Sequence, residues 1–337
     1  MKKTLIFTLL LSFLFLGCST KRQYFEPSDE NITGDMKFNG SLPSEIVAVS
    51  KDGATLKNGQ VISKNGLVQN LKLSKSEKFL GEYDGSFVIT DINGTTKITD
   101  GAGSVKFEKN LGRQALSANV KGDNLALVMS DNSIMLIKLG SGAVVLDHRV
   151  GNVFAIDSRV APPLFINQLI AYPALDGLVS VVEHVGGRSA RDFVVSNQPF
   201  FNNIIALENS GDNLYAVTAT RLMLVGPAGN KNHNRDIKDA IFKNGKIYLF
   251  LKDGTVELLD RNLNLLKSRK FTFAQFSGAL LSGGYLYIIE RNGYVIRTDE
   301  NLEGQAIYEL NGELEDKSFI AGTSFYYDDK ILNFDAR

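Results

Sequence analysis

Few residues in this chain could carry chemistry, and none of them cluster. The three histidines, His148, His184 and His233, lie far apart and have no acid or cysteine at metal-ligand spacing. Gly101-Ala102-Gly103-Ser104 is glycine-rich but lacks the lysine and the following helix that a phosphate-cradling loop needs. No Gly-x-Ser-x-Gly elbow is present to expose a nucleophilic serine. Acid pairs such as Asp328-Asp329 sit at turn positions, where aspartate is favoured for backbone reasons. The expectation is no catalytic residue, no metal and no cofactor, hence a chain that is not an enzyme. One reactive group remains, the thiol of Cys18, the single cysteine.

Cys18 closes an apolar segment with three parts. Lys2 and Lys3 give a positive start, Leu5 to Leu16 an apolar stretch broken by Thr8 and Ser12, and Gly17 a small residue before the cysteine. Such a segment reads as a secretory signal, too short to span a bilayer stably. An ordinary signal or an N-terminal membrane anchor is the alternative. Leu14-Phe15-Leu16-Gly17-Cys18 resembles the lipobox of bacterial lipoproteins, with Phe15 where that family usually has leucine. The resemblance implies cleavage after residue 17 and acylation of Cys18 by palmitate-type chains. Ser19, next in line, implies sorting to the outer membrane, most simply on its periplasmic face.

Lysine plus arginine and aspartate plus glutamate number 37 each, and loss of Lys2 and Lys3 with the signal leaves a net charge of −2. No basic field is available for nucleic acid or for an anionic lipid surface. With its cysteine lipidated the exported chain can form no disulfide, so stability must come from burial and backbone pairing. Residues 19 to about 42 are polar and lack periodicity. The resulting division is signal over 1–17, lipidated cysteine and flexible tether over 18–42, and folded body over 43–337.

From Glu45 onward one pattern recurs: a β-branched or aromatic run, a Gly, Asn or Asp turn, then a second apolar run. Phe87-Val88-Ile89 leads to Asn93-Gly94, Leu169-Ile170-Ala171-Tyr172 to Asp176-Gly177, and Ile247-Tyr248-Leu249-Phe250 to Asp253-Gly254. Asp-Gly and Asn-Gly supply the positive φ angles of tight turns between twisted strands. Leu214-Tyr215-Ala216-Val217 meets Thr220-Arg221, the one copy without a strong turn pair. The runs start at 46, 87, 125, 169, 214, 247, 286 and 325. A period near 40 built of strands predicts an all-β chain, a β-propeller of four-stranded antiparallel blades. Eight starts predict eight blades, or seven if the first and last hairpins share one. Two stacked β-sandwiches are the alternative.

The unit from Ala161-Pro162-Pro163 through Asp176-Gly177 to Val181-Val182 resembles a pyrroloquinoline-quinone-type propeller repeat, and Lys243 to Asp260 resembles it again. Among lipid-anchored members, the order of units is similar to the BamB family, subunits of the machine that assembles outer-membrane β-barrels. That resemblance implies a non-catalytic scaffold whose inter-blade loops meet the POTRA-type domains of a barrel-forming subunit and unfolded outer-membrane protein segments. The stretch matching one such loop contains Phe154, Ile156, Asp157 and Arg159, and Asn202 and Asn203 lie nearest a second. Phe154 and Ile156 read either as exposed apolar anchors beside an arginine or as alternating strand residues of a blade core. The chain has no tryptophan, so its 21 Phe and 11 Tyr must pack the blades, and a quinone cofactor has no tryptophan floor to rest on. A glycan- or protein-binding lipoprotein unrelated to barrel assembly is the rival reading, and an enzyme with a site at the pore a more distant one.

Overall fold

The computed structural model describes residues 23–310 and 312–335. The signal segment 1–17 and the proposed lipid site Cys18 lie outside the described residues. Eight antiparallel sheets follow one another along the chain, and one 3-10 turn, Asp29–Asn31, is the sole helical element among the described residues. Blades 1 to 7 span 46–68, 77–110, 115–149, 164–194, 206–234, 237–270 and 276–309, and blade 8 is built on 318–333. Within each, strands run from the inside outward in chain order. The innermost strand of blade 1, Ile46–Val49, contacts that of blade 8, Ser318–Ala321, so the ring closes. The molecule is a β-propeller with eight blades, not seven.

Burial explains the sequence pattern. The second strand of each blade is covered on both faces by neighbouring blades and therefore reads as an unbroken apolar run. Leu125 to Met129 in blade 3 are all fully buried. The outermost strands, such as Ser189–Val194 and Leu265–Lys270, face water and are polar or charged. Seven of the eight run starts fall on these second strands. The first, at Ile46, falls on the innermost strand of blade 1, whose second strand is Gly53–Leu56. Where the fifth repeat lacks a turn glycine, the Thr218 hydroxyl accepts from the backbone N–H of Thr220 and Arg221 at 3.3 and 3.1 Å and makes the turn instead.

Tyrosines on second strands tie blades together. Tyr172 of blade 4 donates to the Met135 carbonyl of blade 3 at 2.9 Å. Tyr215 donates to Arg261 at 2.8 Å and Tyr248 to Glu300 at 2.8 Å, each in the next blade. Burial pushes the Tyr248 hydroxyl up to about 12, so these phenols stay neutral donors.

The segment read from sequence as a flexible tether is part of the body from Phe25 onward. Ile32–Asp35 adds a fifth strand, parallel to Ala306–Glu309, at the outer edge of blade 7. Gly40–Ser41 pairs antiparallel with Lys330–Asn333 as the outermost strand of blade 8. Asn39 clamps the same edge, giving Nδ2 to the Asn333 carbonyl at 3.0 Å and accepting its N–H at 2.8 Å. Phe25, Met36 and Leu42 are buried, and the Phe25 ring meets Tyr294 edge-on at 5.7 Å. Polar composition hid this docking, because backbone pairing needs no apolar side chains. Met36→Ala is expected to cost about 3 kcal/mol in urea unfolding, where a solvated tether would show no change.

Candidate protein-docking face

Two inter-blade linkers, 150–163 between blades 3 and 4 and 195–205 between blades 4 and 5, bring together the residues singled out from sequence. They are joined by a buried asparagine. The Asn203 side chain accepts from the Asp157 N–H at 2.7 Å and donates to the Arg159 carbonyl at 2.8 Å. Asn202 donates to the carbonyls of Asp176 at 2.6 Å and Ser196 at 2.9 Å. A Cβ on Gly177, whose φ is +87°, would lie 2.3 Å from the Asn202 amide nitrogen, so the turn glycine is required twice, for its dihedral and for this approach. Asn202 and Asn203 are 4% and 0% exposed. Their side chains are therefore not the partner contacts expected from sequence: Asn203 pins the two linkers side by side, and Asn202 fastens the second linker to the Asp176-Gly177 turn of blade 4.

The other expected residues separate in the same way. Phe154 is 82% exposed, while Ile156 packs against the core between blades 3 and 4. Phe154 is thus an exposed apolar ring and Ile156 a partly buried side chain. Asp157 and Arg159 pair with each other, Nε to Oδ1 at 2.8 Å, with the Arg159 N–H on the same oxygen at 2.9 Å. Burial alone raises the Asp157 carboxyl, but the hydrogen bonds and charge of Arg159 outweigh it and hold its pKa below the ordinary value.

Sequence reasoning missed Phe200 and Phe201, which are 56% and 57% exposed. The Phe201 N–H donates to the Ala155 carbonyl at 3.0 Å, so its backbone lies against the residue after Phe154. Phe201 has φ of +52°, a conformation rare for a bulky side chain and worth of order 1–3 kcal/mol of strain. Two adjacent aromatics after Pro199, outside any apolar run, were the signal available. Exposed aromatics on rigidly held loops are the usual anchors of a protein interface.

The histidines stay apart. His184 Nε2 meets Gln168 Oε1 at 2.6 Å in blade 4, and His233 Nε2 meets the buried Glu257 at 2.6 Å between blades 5 and 6. Among the described residues no group of three or more histidines, cysteines or carboxylates stands where it could hold a metal ion.

No protein-family model matches the chain. It is 32% identical over 345 residues to the plasminogen-binding protein PgbB of Helicobacter pylori strain J99, and 31% to that of strain 26695. The match covers 89% of this chain and 63% of PgbB, so the chain spans less than two thirds of the length of these relatives. By fold it is similar to BamB from Moraxella catarrhalis, with a TM-score of 0.67 at 15% identity over 86% of this chain and 96% of that one. It is also similar to the C-terminal WD40 domain of Sif2, with a TM-score of 0.65 at 14% identity over 89% of this chain and 99% of that one. These likenesses show one thing. The architecture is a β-propeller.

Asn203→Ala leaves a buried N–H and a buried carbonyl unpaired and is expected to cost about 2 kcal/mol. Because the Asp157 pKa is lowered on folding, its ion pair stabilises the fold above the ordinary carboxylate range and is lost as pH falls through the lowered value. The melting-temperature gap between wild type and Asp157→Asn is expected to narrow from pH 7 toward pH 3. A gap that does not change with pH would refute the pair's contribution.

Proposed function

We propose that this chain is a lipid-anchored, protein-binding propeller that works by docking and not by catalysis. The observation that carries this reading is the set of exposed rings Phe154, Phe200 and Phe201 on two linkers held together by Asn203 and the Phe201–Ala155 backbone bond. Exposing large aromatics opposes folding unless a partner covers them, and their fixed backbone lowers the ordering cost of binding. The partner is a POTRA-type domain of an outer-membrane barrel-assembly protein, with unfolded outer-membrane protein segments as further clients. The BamB-like fold supports this partner, as does the linker that carries Phe154. Acylation of Cys18 would hold the ring at the outer membrane on its periplasmic side, raising the effective concentration of a membrane-bound partner.

The 32% identity to PgbB favours a second reading, in which the same face takes plasminogen. The two are separated by capturing partners from detergent-solubilised native membranes and, in parallel, by binding to immobilised plasminogen. Phe154→Asp with Phe200→Asp is expected to reduce capture of the true partner at least tenfold with the melting temperature unchanged. Ile156→Asp is expected to lower the melting temperature, since that side chain is partly buried against the core between blades 3 and 4. Recovery of neither partner by wild type, or equal recovery by the double variant, would overturn the docking face. Cys18→Ser is expected to move the protein from the membrane fraction to the soluble one.

A further inference from the structure

The linker that turns Phe154 outward sends Asp157 and Arg159 the other way, into the mouth of the central channel. A cavity of about 600 Å3 opens there, lined by residues of blades 6, 7 and 8 and the linkers before blades 4, 7 and 8. Its charged lining is Arg159, Lys238, Lys252 and Arg291 against Asp157 and Glu315. Asp157 is already engaged by Arg159. Asp239 is held by Lys51 at 3.2 Å and also acts on the charges of Arg159 and Lys238, so this carboxylate is shared among three cations. Among the described residues, Lys238, Lys252 and Arg291 form no side-chain hydrogen bond or ion pair, and the lining holds more cations than carboxylates. Arg159 adds a buried Nη1 with no hydrogen-bond partner. Burial, and then the Arg159 charge, hold the Lys238 ammonium below its ordinary pKa, against the opposing charges of Asp157 and Asp239.

A buried guanidinium N–H without an acceptor and like charges converging on one space both oppose folding, and an anion would relieve both. Arg159 already grips one carboxylate in this cavity through Nε and Nη2, which leaves Nη1 for another. The volume is that of an organic ligand and far exceeds a single inorganic ion. We propose that the channel mouth is a binding site for an anion carrying two or more carboxylates, taken by Arg159 and Lys238 within and by Lys252 and Arg291 at the rim. The source is either the acidic side chains of a peptide crossing this face or a free polycarboxylic acid. The site uses none of the three phenylalanines and stands or falls apart from the docking face.

Calorimetric titration of the full chain with citrate and with a hexaglutamate peptide at low ionic strength tests this, with inorganic phosphate as the control. Saturable binding of at least one carboxylate probe is expected, tight for citrate if the source is a small acid and tight for the peptide if it is a protein segment. Lys252→Glu with Arg291→Glu is expected to weaken it at least tenfold, while Phe154→Asp with Phe200→Asp leaves it unchanged. Both rim residues are exposed and unpaired, so the melting temperature of the first pair should hold, and Lys252→Gln with Arg291→Gln gives a milder check. No heat with either probe, binding untouched by the rim substitutions, or phosphate binding as tightly as the carboxylates would overturn the proposal.

Discussion

A ring of radial sheets has to be sealed where its ends meet, and here the seal is backbone pairing, with the Asn39 clamp and the packing of Leu42 and Ile46 on Phe319 and Tyr326 beside it. Gly40–Ser41 lies on Lys330–Asn333, flanked by bonds from Leu42 to the Asp329 carbonyl at 2.7 Å and from Ile46 to Asp328 at 3.1 Å. No disulfide can help, since the single cysteine lies upstream of the whole ring. Chain ends close in space but far apart in sequence make this the contact of highest loop-closure entropy in the fold. Every inter-blade surface inherits its pressure from it, because a ring open at one joint releases the packing at the others. The added strand Ile32–Asp35 and the buried Phe25 and Met36 extend the same seal across the next joint, onto blade 7.

The docking face depends on that closed ring in a particular way. A linker leaving one blade and entering the next has little regular pairing of its own, yet 150–163 and 195–205 are fixed. Asparagine side chains substitute for the absent ladder, each satisfying donors and acceptors that would otherwise be buried unpaired. This frees the intervening residues to point outward or inward as the site requires. Phe154 and Arg159, five residues apart, thus face solvent and the channel respectively.

Strands were the most legible part of the sequence, because each second strand is buried on both faces and its apolar run is continuous. Turn glycines marked where those runs reverse, and even the exception at Thr218 followed from a hydroxyl taking over the role. Blade 1 misled, since its inner strand Ile46–Val49 is as β-branched as the second strands elsewhere. Residues 25–42 were illegible for a different reason: two short strands paired through main-chain atoms leave no hydrophobic period. At the site, the linker was legible but the roles within it were not. Alternation in Phe154-Ala155-Ile156 fits an exposed anchor and a core residue equally, and only the neighbouring blade decides. Asn202 and Asn203 look like surface residues by composition, and burial shows them to be internal fasteners.

The docked N-terminal segment also sets a leash. A tether running to residue 42 would let the ring stand some 85 Å from an anchor at Cys18, at about 3.5 Å per residue. With Phe25 fixed beside blade 7, seven residues remain, and their full reach is about 25 Å. Under the proposed acylation of Cys18, that reach would keep the ring close to the bilayer, with the standoff limited by where Phe25 docks.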